Sequence, residues 1–234
     1  MSSVAEIYRH SVTFPGPGLR MLGLEAALAA VEDQLDHLKG QGAVRLHARL
    51  KREAHAMAQD DIEYELHQLK TTVDELFPKV FRGGFVVSLW SVFEACVKDL
   101  AEYTRLERKL PFGLQELRAG DFLEQMELFF SRVLNLVAFP DKVARSKLVE
   151  VKGLRNALAH HDGSTAELPK SLRSKTDAEY LKKGLSVYSD LHHHYVIPSA
   201  EYTEQSFQVV RTYLEQFAQQ VYAVVHPEPL EDDA

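Results

Sequence analysis

The sequence predicts an all-helical protein with at most one short β-hairpin. Three observations carry this. Apolar residues recur by threes and fours through every long segment. Glycine, proline and capping residues fall between those segments, and only the stretches LSVYS and HHYVI, within 185–197, read as strands.

The elements follow in order. Leu22, Leu24, Leu28, Val31 and Leu35 form an apolar stripe over 22–39, with Gly40 as its stop. Leu46, Leu50, Met57, Ile62, Leu66, Leu69, Val73 and Leu76 predict a long second helix over 44–77, closed by Pro78. The segment 83–106 is apolar on nearly all sides from Phe85 to Val97, and a helix tolerates that only when other helices surround it. Asp121 followed by Glu124 reads as a capping box opening a helix over 122–137. Pro140 and Asp141 open the next helix, and residues 163–176 read as an exposed loop. A final helix covers about 200–225, with Phe207, Val210, Tyr213, Leu214, Phe217, Val221 and Val224 along one side. The acidic, proline-containing end, 227–234, is expected to be disordered.

Composition narrows the function classes. The chain has 234 residues, 45% hydrophobic and 26% charged, which is ordinary globular usage and enough for a sizeable core. The single cysteine, Cys96, excludes an intramolecular disulfide framework and a cysteine-only zinc site. No uninterrupted apolar run has membrane-spanning length, and MSSVAEIYRHSVTF lacks a basic start and apolar middle, so a soluble, cytoplasmic protein is expected. A formal net charge of −7 argues against a general nucleic-acid coat protein. The charge is uneven, however. Residues 141–183 hold ten Lys and Arg against six Asp and Glu, a local +4 that leaves −11 on the remainder, and RLHARLKR at 45–52 adds a second basic stretch.

Within the basic region lies VKGLRNALAHHDG, residues 151–163. On a helical wheel Val151, Leu154 and Leu158 share one face, which would pack on the 83–106 helix. Gly153, Asn156, Ala157 and His160 share another, narrow enough for a close partner helix. Arg155 and His160 stand about 140 degrees apart on an ideal wheel, so they converge only if the helix ends near His160 or a second subunit brings its own copy. Two structural readings stand beside a catalytic one: Arg155 pairs with a carboxylate such as Glu94, or His160 and His161 cap a helix C-terminus, where the dipole favours them.

Arg155, Asn156 and His160 match the arginine, polar residue, spacer and histidine (R-x4-6-H) pattern of the HEPN superfamily, and His161 also satisfies the spacing. FVVSLWSVFEACVKDL, with its internal Glu94, resembles the apolar core helix of the solitary HEPN proteins of bacterial toxin and defence systems. The resemblance covers about residues 80–165. It implies an antiparallel helical bundle of HEPN type over 79–226, with 1–78 as a helical extension packed on it. It also implies a homodimer in which two copies of the motif face each other. The implied activity is metal-independent RNA cleavage by the substrate's own 2'-hydroxyl, with a regulatory protein or antitoxin as further partner. His160 would exchange protons, Arg155 would hold the phosphoryl oxygens, Asn156 would orient His160 or donate to the phosphate, His161 would be second acid/base or spare, and Glu94 would support Arg155. The rival reading is a non-catalytic HEPN dimer that binds or scaffolds.

Other chemistries find no foothold. His47 and His55 lie two turns apart on the predicted helix, too far for one metal ion. The run His192, His193 and His194 alternates across a strand, so no metal site is expected, and no cofactor motif is present.

Overall fold

A computed structural model of the chain describes residues 16–53, 55, 57–161, 186–188, 194–197 and 199–227. These residues are mostly helical, in line with the periodicity. The helices are α1 (Gly18–Glu53), α2 (Gln59–Thr71), α3 (Phe77–Glu107), α4 (Phe122–Leu134), α5 (Lys142–His161) and α6 (Ala200–Val225), with a π-helical turn at Thr72–Leu76 between α2 and α3. Strands β1 (Ser186–Tyr188) and β2 (His194–Val196) pair antiparallel, Val187 opposite Tyr195, so the expected hairpin forms. The loop at 163–176, His192, His193, the side chains of His161 and His194, and the tail beyond Pro227 lie outside the described residues.

Two punctuation marks act differently from expectation. Gly40 does not end α1, because the stripe through Leu35, Gly42, Leu46 and Leu50 continues in phase across it, and packing along that stripe outweighs a glycine cost of about 1 kcal/mol. The break falls instead between Glu53 and Gln59, which leaves His55 exposed in the connection rather than on a helix. Nor does Pro78 stop the chain. Just before it the ladder changes register in the π-helical turn, where the Phe77 N–H donates to the Thr72 carbonyl five residues back. A ladder already re-registered loses less to the missing proline N–H than an uninterrupted one.

As a result, Gln59–Glu107 is one continuous helical stretch, long and apolar enough to cross a membrane by length and composition alone. Half of its most apolar 18-residue window is buried within the chain, as in the core helix of a folded domain. Counting only uninterrupted apolar runs missed it, since Ser88 and Ser91 punctuate the run. Those serines also correct its shape: Phe85, Val86, Leu89, Trp90, Phe93, Cys96 and Val97 are buried, but Gly84, Ser88, Ser91 and Lys98 form an exposed stripe.

The chain divides into two compact units. The first comprises 1–22, 91–148 and 208–234. Its core is aromatic: Tyr213 stacks between Phe139 and Phe217, at 5.3 and 5.6 Å between centroids, and Phe217 meets Phe130 edge-on at 4.8 Å. The Tyr213 hydroxyl donates to the Ala138 carbonyl at 2.7 Å, and burial pushes the pKa of this phenol far up. Helix α4 opens at the predicted N-cap, with Asp121 Oδ1 accepting from the N–H groups of Leu123 and Glu124, while Glu124 Oε2 accepts from the Gly120 N–H at 2.9 Å, one residue before the position a capping box would use. It stops at Leu134, short of 137, because Asn135 adopts φ 52° and the Leu136 N–H folds back to the Phe130 carbonyl.

The second unit comprises 23–90 and 149–207. In it α1 and α2 lie side by side, close enough that a Cβ on Gly42 would come within 2.7 Å of Leu69 Cδ1, and Arg49 reaches Glu65 at 2.9 Å. Arg82, 5% exposed, donates from Nε and Nη2 to the two Glu32 oxygens at 2.8 and 2.5 Å, and from Nη1 to the Ile197 carbonyl at 3.0 Å. One guanidinium thereby holds α1, α3 and the residue just after β2 together.

Candidate functional site

The candidate site is the last two turns of α5. Its helix starts where Asp141 Oδ1 accepts the Val143 N–H at 2.8 Å, and Arg145 pairs bidentately with Glu127 at 3.1 and 3.3 Å. In the second unit, Val151, Leu154 and Ala157 are fully buried. Leu158 is half-buried and packs on α3, where a Cβ on Gly83 would lie 3.2 Å from its Cδ2. The apolar face read from the wheel is therefore turned inward, and its Leu158 end meets α3.

The small face divides. Gly153 and Ala157 are already buried within the single chain, so they are not free to line a symmetric surface. Asn156 is half-buried, and only His160 of that set is exposed. What remains accessible is the polar cluster around it.

In that cluster Arg155 Nη1 donates to Asn156 Oδ1 at 3.0 Å and to His160 Nε2 at 3.2 Å. A wheel of Cβ directions keeps Arg155 and His160 apart, yet the long guanidinium stem bridges the gap at the helix end. The guanidinium can only donate, so the ring nitrogen is the accepting partner of this contact. The Arg155 Nε is buried with no hydrogen-bond partner among the described residues. Asn156, expected to orient His160 or donate to the phosphate, accepts through Oδ1 from the arginine that meets His160.

Of the remaining candidates, Glu94 lies 3.6 Å from Lys98, one turn along α3. His161 closes α5. His47 is exposed on α1, and in the adjoining basic stretch Arg49 is spent on Glu53 and Glu65. Among the described residues no group of three or more His, Cys, Asp or Glu could hold a metal ion. Sequence reasoning missed Arg82, whose partners lie 50 and 115 positions away and leave no local signal.

Chemically, the cluster offers a fixed cation, an imidazole nitrogen beside it and an amide oxygen holding the cation in place. Comparison with known protein families, with curated proteins and with solved structures found no match to this chain.

Proposed function

We propose that the chain is a HEPN-type, metal-independent endoribonuclease with Arg155, Asn156 and His160 at its centre. The observation that carries this is the 3.2 Å approach of Arg155 Nη1 to His160 Nε2 on an exposed helix end. A phosphodiester there would meet a cation for its non-bridging oxygens and an imidazole for its proton transfer. The 2'-oxygen bonds to phosphorus as His160 takes its proton. The bond from phosphorus to the 5'-oxygen breaks, and a proton returns to that leaving oxygen, so the products are a 2',3'-cyclic phosphate and a 5'-hydroxyl. Arg155 offsets both the charge growing on the phosphoryl oxygens and the negative end of the α5 dipole.

In this reading the protein acts as a homodimer, the second copy's His160 or His161 supplying the acid, with the contact confined to the exposed rim of the motif because Gly153 and Ala157 are buried. RNA is the substrate, and a regulatory protein restrains the activity. Local basic charge over 141–183 supports RNA binding to an otherwise acidic chain.

The test is RNA cleavage and melting temperature measured together for the unmodified chain, His160→Ala and Arg155→Ala. Losses of about 10²- to 10⁴-fold in rate with little change in melting are expected. An unmodified chain that cuts no RNA, with Arg155→Ala destabilised, would leave the scaffold reading instead.

A further inference from the structure

We infer that the hairpin of α1 and α2 docks on the same hairpin of a second copy of this chain, the four helices closing as an antiparallel bundle about a two-fold axis along their length. The inference goes beyond the ribonuclease reading and does not depend on it. Among the described residues, none of α1 after Leu35 is buried, and none of α2 or of the π-helical turn that follows it. Yet the two helices carry the apolar content of a core. A Cβ on Gly42 would meet Leu69 Cδ1 at 2.7 Å and Val73 Cγ2 at 3.6 Å, which fixes the seam along which α1 is packed. On a helical wheel drawn from that seam, Leu46, Leu50, Ile62 and Leu66 fall to one side of it. Arg49, Arg52, Asp61 and Glu65 fall to the other, and the 2.9 Å pair of Arg49 and Glu65 marks that side as the polar one. The hairpin is therefore two-faced, and on its apolar face Leu66 stands 48% exposed.

Two observations name a second copy as the cover. The first is charge. Gly42 opposite Leu69 and Arg49 opposite Glu65 set the heights along the hairpin, so Lys51 and Glu63 flank the apolar face at one end and Lys39 and Asp74 at the other. Both lysines stand on the α1 edge and both carboxylates on the opposite edge. Lys39, Lys51 and Asp74 make no ion pair among the described residues, and Glu63 meets only the Gln59 amide, at 3.2 Å. A two-fold axis along the hairpin lays each α1 edge against the other copy's α2 edge at equal height. Lys51 then meets Glu63 and Lys39 meets Asp74 across the contact, each pair formed twice. The second is area. The part of α1 beyond Leu35 is about 27 Å long, and two helices set about 8–10 Å apart offer a face roughly 20 Å wide. Two such faces remove on the order of 1,000 Å² from water, the size at which a specific contact begins.

The experiment is sedimentation velocity on the full chain and on two charge reversals, Lys39→Glu with Lys51→Glu and Glu63→Lys with Asp74→Lys, neither of which touches the pair of Arg49 and Glu65. The unmodified chain should sediment as more than a monomer at micromolar concentration. Each reversal alone should weaken self-association by about tenfold or more, since like charges then face each other across the two-fold axis. Mixed in equal amounts, the two reversals should associate again, because each supplies the sign that the other lost. Residues that only stabilised the monomer would give no such rescue. A monomeric unmodified chain overturns the inference. So do reversals that leave association unchanged, which would assign the contact to another surface such as the rim of the α5 motif, and reversals that separate but fail to recombine. Where a reversal costs helicity by circular dichroism, the unmodified chain decides: its association should weaken in about 1 M salt, where screening acts within roughly 3 Å, and an unchanged mass overturns the inference.

Discussion

Arg82 and Glu32 stand 50 positions apart in the chain and meet as a two-point ion pair, with the arginine 6% and the carboxylate 24% exposed at their side chains. The asymmetry of burial matters more than the pair itself. Removing the carboxylate strands a buried cation, whereas removing the arginine leaves a carboxylate that water already reaches.

Glu32→Ala should therefore destabilise the chain by about 3 to 5 kcal/mol, and Arg82→Met by clearly less. Urea unfolding of both variants checks the order. Equal losses would mean that the Arg82 bond to the Ile197 carbonyl, which Arg82→Met also removes, matters as much as the stranded charge.

Neighbouring glycines on α3 should respond in different ways. Gly84 has open space around it, so Gly84→Ala should stabilise by about 1 kcal/mol through helix propensity alone. Gly83→Ala places a methyl 3.2 Å from Leu158 Cδ2 and should forfeit part or all of that gain. Gly83→Val, which pushes Leu158 off α3, should also disturb His160, read from its ring resonances. A Gly83→Ala variant as stable as Gly84→Ala would show that Leu158 yields freely.

These features divide by how far their causes reach along the chain. Asp121 was legible as the start of α4 because its cap bonds span only two and three residues. Gly40 and Pro78 misled because their meaning as stops depends on what packs beside them and on the register of the ladder, here continued by the α1 stripe and shifted by the π-helical turn. Arg82 was invisible because its partners come from distant segments. The Arg155 and His160 contact was half legible: the motif marked both residues, but a wheel counts directions from the axis and ignores the reach of a guanidinium.

Cys96 should be silent until the fold opens. It is 1% exposed, and burial pushes its thiol pKa up despite Arg20 Nη1 at 3.9 Å. In the native state the thiol stays protonated, while the unfolded chain ionises first as pH rises. The Cys96 contribution to stability is thus fully present below the unfolded thiol pKa of about 8.5 and is lost as pH climbs toward the raised native value. A disulfide reagent should label the folded chain at the rate of global opening, and Cys96→Ser should flatten the alkaline fall in stability. Rapid labelling of folded protein would refute the buried placement.

If the proposed reaction is correct, its charge and proton requirements are met by side chains alone, since Arg155 neutralises the phosphoryl oxygens and His160 handles the proton. RNA cleavage should then survive an excess of EDTA, and the 3' ends should be 2',3'-cyclic phosphates that resist ligation until the ring is opened and the phosphate removed. Asn156→Ala sharpens the test. Loss of Oδ1 frees one Nη1 hydrogen and loosens the guanidinium, so kcat should fall while the chemistry of the ends stays the same. Activity abolished by chelation and restored by magnesium or manganese, or 3'-hydroxyl and 5'-phosphate ends, would assign the bond breaking to a metal-bound water and remove Arg155 and His160 from the reaction.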